Sequence, residues 1–494
     1  MRRAPGALLL VAHVVACAPT GASPGWHWGV QPPTVKLALH ATPPSETGSA
    51  SVDLAAQLGE CEAQQVWVRS ASGGLSDVSL RPGPLTHSGD GSSVVAASHW
   101  RWLQQLYVNC SAHNTTTMYE PSAPGWHPDP LLQTEAVGEV PAGLTQPLWL
   151  ELCVPYSAAP GTYRGNFSLL VGDDEIPLPV KVEVWPIAIR NTSDPAAFWT
   201  MFSFNQAPLT QYESAYPGLG TPWLSTSRPM MDWLSLLQQH RTPADSIYYP
   251  DANYQVQGPS TWCAATRCRR STGQIKAFFQ LGGKRLNIND LASGTENLTE
   301  TFLAEIVEAA NISVTQLVAA LGAPSVDAAL ERAYVYSFDE LPEAKIDAIY
   351  KIFGAIKHAF PKLRTVATLP DGRKFGRTDW TRLPADLPVD VWVDAYAQDY
   401  DAEKIAAVRA WTAGRNAAGQ PHEYVWYWAI GPHKEPWPNT FVERAAIEAR
   451  LLFWLCSLHG VRGMVNIKHM PCKRPFHQTK CWRCNSFTTT WLTF

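Results

Sequence analysis

The chain has 494 residues, enough for two or three domains, with 46% hydrophobic and 17% charged residues. That composition is globular and excludes a disordered or coiled-coil body. With 39 Lys/Arg against 43 Asp/Glu, the formal net charge is −4, which does not fit a protein built to neutralise nucleic-acid phosphates.

The N-terminus reads as an address. Arg2 and Arg3 precede an apolar run from Ala7 to Ala18, too short for a membrane span of roughly 20 residues. Small residues follow, so residues 1–22 are expected to be a secretory signal peptide cut near Ala18 or Ala22. No later segment has a long uninterrupted apolar run, and no stable membrane insertion is expected. Sequons at Asn109, Asn114, Asn166, Asn191, Asn297 and Asn311 fit the secretory route, toward an extracellular or lysosome-like lumen. Cys61, Cys110 and Cys153 offer one plausible disulfide, and Cys263 and Cys268 could staple a loop.

Residues 30–189 read as a β-sandwich. Val66 and Val68 alternate in one strand, and Leu148–Val154 forms another. Gly161–Val171 and Glu175–Trp185 form a hairpin around Gly172-Asp173-Asp174. Pro177 and Pro179 push the second arm toward a sheet edge. Arg190–Pro195 reads as a linker.

Residues 196–467 alternate between strands and helices. Expected strands are Phe198–Phe204, Asp245–Tyr249, Lys284–Asn289, Arg332–Phe338, Arg364–Leu369, Val389–Tyr396, Glu423–Ile430 and Val461–Ile467. Expected helices include Met230–Arg241, Asn297–Leu321, Glu343–Phe360, Ala402–Trp411 and Phe441–His459. In the third of these, Ile346, Ile349, Phe353, Ile356 and Phe360 make an apolar stripe. Repeated β/α units imply an α/β domain, a (β/α)8 TIM-like barrel possibly incomplete at its C-terminal end. An open doubly wound sheet is the alternative, though no Gly-rich phosphate motif follows any strand. Residues 468–494 form a basic tail with Cys472, Cys481, Cys484, His469 and His477. Cys481 and Cys484 with Cys472 and His469 could ligate zinc, but an irregular tail is the favoured reading, and no metal or cofactor is expected.

Barrel chemistry belongs at the carboxyl ends of strands. The fourth strand ends in Asp339-Glu340. Neighbours on a regular strand point to opposite faces, so both carboxylates reach one pocket only if the chain turns there, which Pro342 favours. Helix capping is the structural alternative. Asp394 and Tyr396 share one face of the sixth strand, and Trp426 and Trp428 share one face of the seventh. Two aromatics at a strand end suit a sugar ring, or else fill the core. Asn287 and Asn289 are candidate hydroxyl binders. No nucleophile elbow or H-E-x-x-H occurs, so serine hydrolases and metalloproteases lack their signatures.

The stretch Tyr334-Val-Tyr-Ser-Phe-Asp339-Glu340 resembles the catalytic strand of glycoside hydrolase family 123, the β-N-acetylgalactosaminidase-like proteins. Gly59-Glu60, Gln64-Gln65-Val66, Thr145–Trp149, Val154-Pro155 and Ala159–Gly165 are similar to that family's N-terminal β-sandwich. The chain departs from the family pattern where Met464–Ile467 runs into the basic tail. The resemblance implies a secreted retaining hydrolase of terminal β-linked N-acetylhexosamine, N-acetylgalactosamine above all, and hence a glycan or glycoconjugate substrate. It implies substrate-assisted catalysis, an exception to the two-carboxylate scheme. Asp339 would orient the 2-acetamido group and stabilise the oxazolinium-like intermediate. Glu340 would act as acid and then base, kept protonated by the neighbouring anion. By position, Tyr396 would bind the acetamido carbonyl while Trp426 and Trp428 wall the pocket. The alternatives are a carbohydrate-binding protein with a degenerate or truncated barrel and a glycosidase of the same fold acting on another sugar. The oligomeric state is left open.

Overall fold

The computed structural model describes residues 25–43, 50–110, 125–190, 298–338, 346–368, 386–395, 402–417, 422–428 and 444–466. It also describes residues 22–23, 194, 197–202, 235–244 and single positions within 276–286 and 419–440. The chain forms two compact units, one of residues 1–108 and 126–189 and the other of residues 109–125 and 190–492.

The first unit is built from two sheets. One is ordered β1 (Ala22–Ser23), β2 (Trp26–Gln31), β4 (Cys61–Ser70), β11 (Thr145–Cys153), β8 (Trp100–Cys110) and β9 (Gly125–Leu132). The other is ordered β10 (Val137–Val140), β5 (Leu75–Arg81), β12 (Gly161–Val171), β13 (Asp174–Ala188) and β3 (Val52–Leu58). The short strands β6 (Leu85–His87) and β7 (Val94–Val95) lie beside β12. Period-2 alternation creates the core. Val66, Val68, Leu148, Leu150 and Leu152 from the first sheet meet Tyr163, Phe167, Leu169, Val180 and Val182 from the second. Trp100 packs edge-on to Phe167 at 4.6 Å between ring centres.

The predicted hairpin is present. Val171 pairs with Asp174 across a turn in which Gly172 takes φ +58°, a conformation glycine adopts without steric cost. The two prolines act more locally than the sequence implies. Pro177 and Pro179 pair with β12 through Ser168 and Asn166, while the parallel partner β3 begins only at Val180. Only the proline-bearing part of β13 therefore lies at an edge. Beyond it, free N–H groups allow a second neighbour. Cys61 and Cys153 stand opposite each other in the β4–β11 register and are disulfide-bonded.

The second unit is a mixed α/β layer structure. Its parallel sheet is ordered β14 (Trp199–Phe202), β19 (Gly463–Asn466), β18 (Glu423–Trp428), β17 (Val391–Ala395), β16 (Arg364–Thr368) and β15 (Tyr334–Tyr336). Leu286 N donates to Tyr334 O at 2.8 Å and Tyr334 N to Lys284 O at 2.9 Å, so the segment at 284–286 runs parallel beside β15. The order is sequential and joins the last strand to the first. A barrel wall has that order, whereas a doubly wound sheet reverses at a switch point. The expected second strand, Asp245–Tyr249, lies outside the described residues, so a complete eight-stranded barrel is not shown. The tail after Asn466 lies outside them too.

Helices cover one face of this sheet: α1 (Glu300–Leu321), α2 (Val326–Leu330), α3 (Ile346–Ala359), α4 (Ala402–Ala417) and α5 (Ile447–Leu458). Thr299 caps α1 by accepting from Phe302 N, and Gly322 ends it at φ +58°. By length and composition α1 could cross a membrane. Instead, Phe302, Ile306, Ala310, Val314, Leu317 and Ala320 put a buried stripe into the core. In α3 the predicted stripe is realised, with Ile349, Phe353 and Ile356 buried and Ile346 and Phe360 packed at its ends. Strand residues Val335, Ala367, Trp392, Tyr424, Trp426 and Met464 meet these helices. The opposite, inner face is a separate core of Trp199, Tyr334, Val366, Val391, Val393, Val425, Tyr427 and Val465.

Candidate functional site

The end of β15 departs from regular strand geometry. Tyr334 faces inward and Val335 outward, so strict alternation would turn Phe338 inward. Phe338 instead joins the helix-side core and packs edge-on to Phe353 at 4.9 Å. Its φ is +64°, a left-handed conformation that costs a bulky residue about 1–3 kcal/mol.

The hydrogen bonds locate the irregularity. Ser337 N donates to Val366 O at 3.1 Å in regular parallel register. Thr368 N then donates to Phe338 O at 3.1 Å, where regular pairing would use Ser337 O. One extra residue has been inserted, a β-bulge, and bulges re-aim the side chains that follow them. The buried Ser337 Oγ has no hydrogen-bond partner among the described residues. The residues directly after this bulge are Asp339 and Glu340, which lie outside the described set.

Two hydroxyls stand on the inner face beside the bulge. Tyr336 Oη and Thr368 Oγ1 are 2.7 Å apart, at the carboxyl ends of β15 and β16. Sequence reasoning passed over both. The signal available was Tyr336 sharing the face of Tyr334 on the strand that carries the carboxylates.

Other predicted site residues fare differently. Asp394 and Trp426 are buried on the helix side. Val391 and Val393 hold the inner positions of β17, and Val425 and Tyr427 those of β18, so alternation sends Asp394 and Trp426 outward. Tyr424 Oη donates to Asp394 Oδ2 at 2.7 Å. Burial and the Asp394 charge push the Tyr424 hydroxyl pKa well above the ordinary tyrosine value. The Trp426 ring packs against His459 at 5.6 Å. Asp394, expected beside Tyr396, and Trp426, expected beside Trp428, thus lie on the helix side of the sheet and not on the inner face where a pocket wall was expected. Tyr396, Asn287, Asn289 and the side chain of Trp428 lie outside the described residues.

At the opposite, amino ends of the strands, the inner face holds a charged plug. Lys284 Nζ and Arg364 lie 5.1 Å and 4.6 Å from the Trp199 ring centre. Arg364 Nη2 pairs with Glu423 Oε2 at 2.9 Å. Burial, then the Arg364 cation, pushes the Lys284 amine down to about 8. Barrel chemistry sits at the other end, so this cluster reads as structural.

No family model and no curated protein matches this chain. Among solved structures, a family 123 glycoside hydrolase from Clostridium perfringens is similar. Its TM-score is 0.63 at 9% identity, over 94% of this chain and 82% of that one. A β-D-glucuronidase from Dictyoglomus thermophilum aligns over 88% of this chain and 68% of that one, at 12% identity and a TM-score of 0.32. The first likeness defines the fold class: a strand-rich α/β protein folded like a family 123 glycoside hydrolase. At 9% identity it speaks for the fold alone.

Proposed function

We propose that this chain is a secreted, retaining glycoside hydrolase that releases terminal β-linked N-acetylhexosamine, N-acetylgalactosamine above all. The observation that carries the reading is the bulge at Ser337–Phe338, directly before the adjacent carboxylates 339 and 340. The bulge re-aims the side chains that follow it, and in this reading the chain then leaves the strand, so that the two carboxylates, which a regular strand would send to opposite faces, serve one substrate. The fold likeness supports the same class, since the similar Clostridium protein is described as hydrolysing a glycolipid glycan.

In this reading the substrate's own 2-acetamido oxygen attacks the anomeric carbon, and its high effective molarity replaces an enzyme nucleophile. Asp339 orients the acetamido group and balances the positive charge of the cyclised intermediate. Glu340 gives its proton to the leaving oxygen and later takes one from the incoming water. Tyr336 and Thr368 offer hydroxyls beside that strand end. Tyr396, which follows the end of β17, keeps its proposed role in acetamido binding, with Asn287 as a hydroxyl binder. The leader and the exposed sequons at Asn109, Asn166 and Asn311 support the secretory route.

A chromogenic β-N-acetylgalactosaminide tests the proposal. Asp339→Asn and Glu340→Gln are expected to lower kcat/KM by roughly 10²–10⁴-fold. Equal turnover by wild type and Asp339→Asn would sink the mechanism. A thiazoline that mimics the cyclised intermediate should inhibit competitively. Sugar affinity without turnover would favour the carbohydrate-binding alternative.

A further inference from the structure

We infer that Phe338 is a positioning residue of the proposed carboxylate site: its ring, anchored in the helix layer, sets the direction in which the chain leaves β15 toward Asp339 and Glu340. The inference rests on the glycosidase reading and adds to it a residue that acts only through its neighbours.

The hold on Phe338 comes from both sides of the sheet. Its side chain is 2% exposed and packs edge-on to Phe353 of α3, which is fully buried, at 4.9 Å between ring centres. Its carbonyl accepts from Thr368 N of β16 at 3.1 Å. Its φ of +64° is one that a bulky residue keeps only where the surroundings over-determine it. Ring burial supplies that constraint. A strand-like φ would, by alternation, return Phe338 to the inner face and empty the place its ring fills beside Phe353.

Covalent geometry carries the hold to the next residue. The six atoms of a peptide unit are coplanar, so the carbonyl that Thr368 fixes also fixes the plane from which residue 339 departs. Thr368 is itself braced on the inner side, where its Oγ1 stands 2.7 Å from Tyr336 Oη. Helix α3 and strand β16 thus determine together, through one aromatic side chain and one carbonyl, where two reacting carboxylates begin. A displacement of about 1 Å at reacting groups is enough to cost on the order of 10²-fold in rate.

Variants of the full chain, assayed on a chromogenic β-N-acetylgalactosaminide, test the role. Glycine accepts φ +64° without steric cost, so Phe338→Gly leaves the bend accessible and removes the anchor. Its kcat should fall by about 10²-fold. Affinity for the thiazoline should fall in parallel, while KM changes far less. Phe338→Leu restores apolar bulk and should recover most of the rate. Phe353→Ala removes the ring's partner without altering β15 and should lower kcat in the same direction. Leu317→Ala opens a cavity elsewhere in the same core; it should lower the melting temperature and leave kcat at the wild-type value. Should Phe338→Gly melt below the assay temperature, the kcat of Phe353→Ala decides in its place. Wild-type kcat in the deciding variant, or an equal loss in Leu317→Ala, would overturn the role of Phe338 and leave the glycosidase reading standing. A wild-type chain without turnover would overturn both.

Discussion

Lys284 shows how one residue's surroundings set its chemistry. Its amine shares the Trp199 ring with Arg364, and that guanidinium takes the Glu423 carboxylate at 2.9 Å. Burial and a neighbouring cation both oppose its charge, which is why the amine falls to about 8 in the folded chain, against about 10.4 when unfolded. The sign of the effect on stability follows. Between these values the unfolded chain holds the proton and the folded chain releases it, so this residue's contribution rises with pH across that window. Below pH 8 both states are protonated and the full burial penalty applies. Lys284→Met removes the charge and keeps an apolar stem. Its denaturant midpoint, compared with wild type at pH 7.5 and pH 10, should show the larger relative gain at the lower pH. A wild-type-to-variant difference that does not change with pH would show that Lys284 does not titrate in this window.

At the level of elements, the sequence was most readable where burial is one-sided. The stripe on α3 follows from local pattern, because a helix exposed on one face writes its period plainly. Strands β17 and β18 are buried on both faces. There, parity tells which residues share a face but not which face looks inward. That is why the shared faces read for Asp394 and Trp426 went with the wrong side of the sheet. The bulge after β15 was anticipated only as a turn favoured by Pro342. Phe338 carries no glycine-like signal for a positive φ, and only the backbone reveals it. The α1 cap, which only the structure located, can be tested directly. Thr299→Ala deletes the acceptor for Phe302 N and should cost about 1 kcal/mol, read as a lower urea midpoint with unchanged slope. No measurable change would mean the N-terminal turn of α1 is already frayed in the wild type.

On the scale of the whole molecule, the two units rest on separate apolar cores, one between the sandwich sheets and one between the parallel sheet and its helices. Among the described residues the covalent clamp lies in the sandwich, because Cys61 and Cys153 are 92 residues apart in the chain and both lie within it. A loop of that length restricts the unfolded sandwich and leaves the unfolded barrel-like unit untouched, a stabilisation on the order of 4–5 kcal/mol by chain entropy. Heating should therefore give two transitions that respond differently to chemistry. Cys61→Ala/Cys153→Ala should lower the sandwich transition by about 8–20 °C, taking roughly 2–4 °C per kcal/mol for a unit of this size, and leave the other in place. Calorimetry of the two chains side by side makes the comparison. A single transition that shifts as a whole would show that the units unfold together. Two transitions that both stay put would mean that the unfolded sandwich is already compact enough for the clamp to restrict little.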